Sequence, residues 1–317
     1  MQKTQEQQVF TEALAQGQDS LELSAVAGSG KTTTLIMGLA ESTVPPAQTL
    51  LLAFNVKIKE ELAQRAPVGT VVLTLNGLGH RAWMKHLGGK LVVDSKKVGG
   101  IVSDLCKEAD AGDLWADIKD LVTKAKAVGL LPNKFTTGKG LVPDTDEEWE
   151  RLADLHSINF SRGILILARR ALEISTTQAL AGEIDFDDQL YMPACFRANL
   201  DKYKLVLVDE AQDLSEIQHF LISRTVGTGG RFISVGDPNQ AIYGFRGALS
   251  DSMPALAARF NSRRLSLTQS FRCSKAAVKL AQVYVPRIEA FPTNPIGSVT
   301  RLGLAWKPAE LESGSAV

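Results

Sequence analysis

The chain has 317 residues, 44% of them hydrophobic and 22% charged, and its 35 basic side chains balance 35 acidic ones. That length carries one large domain or two ordinary ones, and the balance excludes an overall polybasic binder, so any nucleic-acid contact must come from a local groove. Three scattered cysteines, Cys106, Cys195 and Cys273, argue against a disulfide framework or zinc site and suit a reducing cytoplasm; the polar N-terminus and the lack of a long apolar run argue against a signal peptide or membrane span.

Residues 4–16 read as a short amphipathic helix with Thr4 as cap and Val9, Phe10, Ala13 and Leu14 on one face; Gln5, Gln7 and Gln8 fall on or near its polar side. The apolar run Leu21–Val26 is a strand that enters Ala25-Val-Ala-Gly-Ser-Gly-Lys-Thr32, after which Thr33 to Met37 opens a helix. A strand, a turn of small residues and a helix N-terminus make a polyphosphate cradle. Turn amides at Ala27, Gly28, Ser29 and Gly30 point inward, Lys31 reaches the outer phosphates, Thr32 ligates Mg2+, and Thr33 continues the first helical turn. Ala25 stands where the usual pattern has glycine.

Thr49 to Phe54 is a second strand and Asn55 to Arg65 a helix, which puts Phe54, Asn55 and Lys57 at a strand exit, where open α/β sheets place ligands. Phe54 is equally suited to stack a base or to fill the core. Val71–Thr74 is a third strand with Thr74 and Asn76 at its exit, and His80 and Trp83 beyond it suit packing or surface roles. From Lys85 to Asp201 helical periods dominate, at Val98–Cys106, Leu114–Val122 and Trp149–Leu155 running on through Ala168–Ile174. This reads as a helical insertion between the third and fourth strands. Its lysines Lys85, Lys90, Lys96, Lys97, Lys124 and Lys126 suit either a nucleic-acid path or a solvated surface. The Ile184-Asp-Phe-Asp-Asp188 cluster suits helix capping, a metal or a polar hinge.

Lys204–Val208 is a buried strand ending in Asp209-Glu210, two carboxylates whose division of labour opposite a phosphate loop is Mg2+ binding by Asp209 and water activation by Glu210. Arg231–Val235 leads to Gly236-Asp-Pro-Asn-Gln240, where the Gln240 amide can report on the terminal phosphate. Tyr243, Phe245 and Arg246 then form an aromatic and basic cluster suited to single-stranded nucleic acid. Arg264 to Arg272 runs from a strand toward a helix near Ser274, with Phe271 and Arg272 placed to stack adenine and reach the γ-phosphate.

Together, Gln5-Glu-Gln7, Ala25–Thr32, Ala53-Phe-Asn-Val-Lys57, Thr74–Gly79, Val208-Asp-Glu-Ala-Gln-Asp213, Val235–Ala248 and Thr268–Cys273 resemble, in order and spacing, the first motor domain of a UvrD/Rep-like superfamily 1 helicase. The resemblance covers almost the whole chain and accounts for Ala25. It implies an α/β fold, a RecA-like P-loop NTPase with a parallel sheet flanked by helices and an inserted, mainly helical subdomain. The implied division is 1–84 and 202–292 for the motor domain, 85–201 for the insertion, and 293–317 for the start of a second motor domain or a tail.

By the same resemblance Gln7 contacts adenine, Lys31, Thr32 and Asp209 hold Mg·ATP, Glu210 activates water, Gln240 couples, and Arg272 meets the γ-phosphate. Single-stranded DNA falls to Phe54, Thr74, Tyr243, Phe245 and Arg246. Asn76 replaces a usual His, Phe245 a usual Trp and Phe271 a usual Tyr, so stacking is kept while the Asn76 backbone contact departs from the family pattern. The implied activity is ATP-driven 3′-to-5′ movement on DNA, with the arginine finger supplied by a second motor domain, in a longer protein or in another chain. A nucleotide-dependent single-strand binder with little turnover is the alternative; a P-loop kinase or GTPase has no use for the stacking cluster.

Overall fold

The computed structural model describes residues 3–241 and 251–300. In chain order its elements are α1 (Gln5–Gln16), β1 (Leu21–Ala25), α2 (Lys31–Ala40), β2 (Thr49–Ala53), α3 (Val56–Arg65), β3 (Val71–Thr74), α4 (Leu75–Leu87), β4 (Val92–Val93), α5 (Lys97–Glu108), α6 (Trp115–Val128), α7 (Asp146–Leu155) and α8 (Arg162–Leu180). They continue through β5 (Glu183–Ile184), α9 (Asp188–Cys195), β6 (Tyr203–Val208), α10 (Glu216–Ser223), β7 (Val226–Gly236), α11 (Ser252–Arg259), β8 (Arg263–Leu267), β9 (Gln269–Ser270), α12 (Lys275–Ala281) and β10 (Glu289–Ala290).

Six strands form a parallel sheet in the order β3-β2-β6-β7-β1-β8. Its strands are apolar on both faces because helices cover both. Alternate residues divide between two cores. Leu21, Leu23, Leu205, Leu207, Ile233 and Val235 pack with Phe10, Leu14, Leu35 and Leu39 of α1 and α2. Leu50, Leu52, Val206, Val208 and Phe232 face the helices of residues 75–201 and share a core with the buried Trp83 and Trp149. The helical region therefore has no core separate from the sheet.

Thr4 caps α1 as expected, in a reciprocal pair with Gln7, and Arg231 closes its far end by donating to the carbonyls of Ala13, Leu14 and Asp19. Val9 differs from the reading of the apolar face and is exposed. The run expected to continue from Trp149 through Ile174 is two helices. The chain leaves the helix after Leu155, and Ser157 takes a left-handed conformation that no helix continues through. Lys97 and Lys126 are buried rather than on a surface path. Helices α4 and α9 cross so closely that a Cβ on Gly79 would lie 1.9 Å from the Gln189 carbonyl oxygen. Residues 294–296, counted with the tail by resemblance, are tied to the start of α12: Asn294 donates to the carbonyls of Ser270 and Cys273, and Pro295 and Ile296 accept from Lys275 and Ala276. Residues 301–317 lie outside the described residues.

Candidate functional site

A parallel sheet gathers the exits of β1, β6, β7 and β8 along one edge, and residues from all four meet there. After β1 the chain turns through Gly28 and Gly30, both in the left-handed region at φ +71° and +77°. At Gly28 a Cβ would sit 2.6 Å from the Arg272 Cβ, so glycine is required there twice over, by conformation and by space. Lys31, Thr32 and Thr33 form the first turn of α2, whose amides have no partner within the helix. Ser29 is buried, and its hydroxyl has no hydrogen-bond partner.

Across from the loop, Lys31 Nζ donates to Glu210 Oε2 at 2.9 Å and the Thr32 hydroxyl donates to Asp209 Oδ2 at 2.8 Å. Burial, reinforced by the neighbouring Glu210 charge, pushes the Asp209 carboxyl up to about 6 against the opposing pull of Thr32 and Lys31. One lysine does not neutralise two adjacent carboxylates, so the pair is short of positive charge. Glu210 holds its place through a left-handed backbone, φ +55°.

From Glu210 a chain of side chains runs to the exit of β7. Gln212 Nε2 donates to Glu210 Oε2 at 2.9 Å and Gln212 Oε1 accepts from the Asp237 amide at 3.1 Å. Gln240 Nε2 in turn donates to Asp237 Oδ2 at 2.6 Å. Gln240 thus reaches Glu210 through Gln212 and Asp237. Gln212 lies within the Val208–Asp213 motif, where its spacing of two residues from Glu210 on one tight turn is the sequence signal for this contact.

Gln7 is buried rather than solvated. It donates from Nε2 to the Thr34 hydroxyl at 3.1 Å and lies beside Gly30, while Gln5 and Gln8 are exposed. Glu6 anchors this helix end by accepting from the amide and hydroxyl of Thr268. The Phe271 amide donates to the Gly28 carbonyl, its ring packs on Phe291 at 4.6 Å between centroids, and the exposed Arg272 follows. Gln7, Gly28, Gly30, Phe271 and Arg272 are therefore brought to one loop. The Thr33 hydroxyl, by contrast, accepts from Arg65 of α3 at 3.0 Å.

The residues read as strand contacts gather less completely. Phe54, Asn55 and Asn76 line a cleft of about 510 Å³ with Lys124, Lys126, Asp187, Ser215 and Gln218. The Asn55 and Thr74 side chains cap α3 and α4 by accepting from the Ile58 and Gly77 amides, and Asn76 Nδ2 donates to the Phe186 carbonyl at 2.9 Å. Lys57 is exposed on α3, outside the cleft lining. Phe186, which in the sequence stands out only as the aromatic of an acidic cluster, is exposed beside the cleft. Tyr243, Phe245 and Arg246 lie outside the described residues.

Two of that acidic cluster's three carboxylates are satisfied within it, whereas burial and the Asp185 and Asp188 charges push Asp187 up to about 6. Asp185 and Asp188 accept each other's amides, and both pair with buried lysines: Lys126 with Asp185 at 2.6 Å and with Asp188 at 2.7 Å, and Lys97 with Asp188 at 2.6 Å. Burial pushes Asp185 up, but the Lys126 charge and hydrogen bond outweigh it and hold the carboxyl below its usual range. Among the described residues no group of three or more His, Cys, Asp or Glu side chains could hold a metal, and no helix is long and apolar enough to cross a membrane.

Residues 4–261 match the family described as UvrD/REP helicase N-terminal domain. The Escherichia coli (strain K12) protein named DNA helicase II is 24% identical over 299 residues, 86% of this chain and 39% of that protein. A Mycoplasma genitalium protein named probable DNA helicase II homolog is 25% identical over 293 residues, 84% of this chain and 40% of its own length. The E. coli ATP-dependent DNA helicase Rep is 32% identical over 111 residues, 32% of this chain and 16% of Rep. The chain spans no more than 40% of the length of these relatives. Its six-stranded parallel sheet and its match over 4–261 agree: the chain belongs to the UvrD/REP helicase N-terminal domain family.

Proposed function

We propose that this chain is the ATP-binding motor domain of a DNA helicase, acting with a second motor domain carried by the same polypeptide or by another chain. The observation that carries this reading is the meeting of Lys31 and Thr32 with Glu210 and Asp209 at the carboxyl edge of the sheet. The residues present fit Mg·ATP on two counts: a phosphate turn that admits no Cβ at Gly28, and an Asp209 carboxylate lacking a full countercharge. Bound Mg·ATP supplies the electrophilic γ-phosphate and the cation that offsets its charge.

In this reading the loop amides and Lys31 hold the phosphates, and Thr32 and Asp209 hold the cation. Glu210 takes the proton of the attacking water at Oε1, since Oε2 already accepts from Lys31 and Gln212. Gln7 and Phe271 flank adenine, Arg272 meets the γ-phosphate, and the Gln212–Asp237–Gln240 chain carries the state of Glu210 toward the residues that touch the strand. Those are Phe54, Asn55, Lys57, Thr74 and Asn76 with Tyr243, Phe245 and Arg246; Phe186, exposed beside Asn76, joins them as a stacking surface. DNA is taken as the track because the relatives are named as DNA helicases.

The test is nucleotide binding and hydrolysis with and without single-stranded DNA. Mg·ATP is expected to bind, with its affinity changed by oligo-dT, and Lys31→Ala is expected to weaken nucleotide binding by at least about tenfold, the loss of one charge-assisted contact to phosphate. Unaltered Mg·ATP affinity in Lys31→Ala would overturn the assignment.

A further inference from the structure

The turn that carries Glu210 is held from a second side, by residues that none of the motifs includes. Ser252, the first residue of α11, donates its hydroxyl to the carbonyl of Ala211, the residue after Glu210, at 2.6 Å. A serine at a helix start ordinarily caps its own helix. Here the hydroxyl is turned to a neighbouring turn. The same Oγ lies 2.8 Å from Nε2 of His219 on α10, and His219, Ser252 and Ala211 are all buried.

Proton accounting fixes the direction of the chain. A carbonyl cannot donate, so the single hydroxyl proton of Ser252 goes to Ala211 and its oxygen accepts from His219 Nε2–H. Burial, aided by the Arg259 charge, pushes His219 down to about 4, so the imidazole is neutral and its one ring proton sits on Nε2, leaving Nδ1 unprotonated. There is little slack around this contact. A Cβ on Gly236 would lie 2.4 Å from Gln212 Oε1 and 2.7 Å from the sulfur of Met253, so the first turn of α11 is wedged against the Gln212 relay and the exit of β7.

We infer that the His219–Ser252–Ala211 hydrogen-bond chain is a positioning contact through which the start of α11 sets the turn that carries Glu210. Ser252 stands six residues after Arg246 in the sequence, and its hydrogen bond to the Ala211 carbonyl joins α11 to the turn that carries Glu210. This inference rests on the proposed reading of Tyr243, Phe245 and Arg246 as strand contacts.

The experiment measures the Kd of the 317-residue chain for a non-hydrolysable Mg·ATP analogue with and without a 12-nucleotide oligo-dT. In the unaltered protein oligo-dT is expected to change the nucleotide Kd by about fivefold or more, the lower range of linkage between two sites. Ser252→Ala and His219→Phe are each expected to bring that factor below about twofold while the Kd for either ligand alone moves less than about twofold. His219→Gln, which keeps a donor at the position of Nε2, is expected to restore most of the coupling. Full coupling in both Ser252→Ala and His219→Phe would overturn the inference, as would loss of coupling in His219→Gln equal to that in His219→Phe. If one of the first two variants does not fold, the other decides. An unaltered protein that binds both ligands without linkage overturns this inference alone, whereas one that binds no oligo-dT overturns the strand-binding reading and the inference with it.

Discussion

Two groups of carboxylates and lysines in this protein use the same chemistry to opposite ends. At the helical region, Asp185 and Asp188 share Lys97 and Lys126 with side chains almost fully buried, Lys126 and Asp188 at 0% exposure. Two cations meet two anions in direct contact, while the neighbouring Asp187, pushed up to about 6 by burial and by the Asp185 and Asp188 charges, makes none of these ion pairs. At the sheet edge, Asp209 and Glu210 share one lysine, with Lys31 12% and Glu210 29% exposed, and Asp209 is left titrating near 6. A closed network removes freedom and ties α5, α6 and α9 together; an open one leaves room for a ligand that brings the missing charge.

The largest expected effect separates the two by stability. Asp188→Ala leaves Lys97 and Lys126 buried with a single carboxylate between them, and is expected to cost about 3–5 kcal/mol in denaturant unfolding. A loss below about 1 kcal/mol would mean the network contributes no more than a surface pair.

Acid unfolding ranks next. His219 is held near 4 in the folded protein against about 6.5 when unfolded, so between those values this residue binds more protons in the unfolded chain and its contribution to stability falls as pH falls. This contribution reaches roughly 3 kcal/mol by pH 4, is opposed over the same range by the carboxyls of Asp209 and Asp187, both raised to about 6, and is read as the difference in acid slope between His219→Gln and the unaltered protein. The Asp185–Lys126 pair adds no slope in that window, since its depressed carboxyl keeps its charge until below the ordinary carboxylate range. Equal losses in His219→Gln and the unaltered protein would assign the acid sensitivity elsewhere.

Phe54→Ala probes the cleft between the two charge groups. If its ring stacks a base, oligo-dT binding weakens by about 1–3 kcal/mol at constant salt; unchanged affinity would return Phe54 to packing.

The smallest effect is the sharpest contrast. Asp209→Asn keeps one acceptor oxygen where the carboxylate accepts from both the Thr32 hydroxyl and the Glu210 amide, and it removes a poorly compensated charge; the two effects oppose, so unfolding free energy is expected to move by less than about 1 kcal/mol. The same substitution is expected to weaken Mg2+-dependent nucleotide binding at least about tenfold. Destabilisation as large as that of Asp188→Ala would erase the distinction.

The parts of the candidate site legible from sequence are those in which neighbours along the chain are neighbours in space. Gly28, Gly30, Lys31 and Thr32 belong to one turn and one helix start, and Asp209 and Glu210 to one strand exit, so spacing alone carries their chemistry. Gln7 was ambiguous because a glutamine near the polar side of a helix has no local signal of burial; the phosphate loop beside Gly30 buries it. Lys97 and Lys126 read as surface residues because their partners lie 91 and 59 positions away. The contact between His219 and Ser252 spans 33 positions and belongs to no motif.

The sequence by itself determined the strands, the phosphate turn and the carboxylate pair, since apolar periodicity, glycine conformation and helix-start chemistry act over a few residues. Only the tertiary structure decided which charges are closed and which stay open. Desolvation depends on what the chain packs around a group, and at Asp188 it packs two lysines from other helices, while at Asp209 it packs the Thr32 hydroxyl and a lysine shared with Glu210.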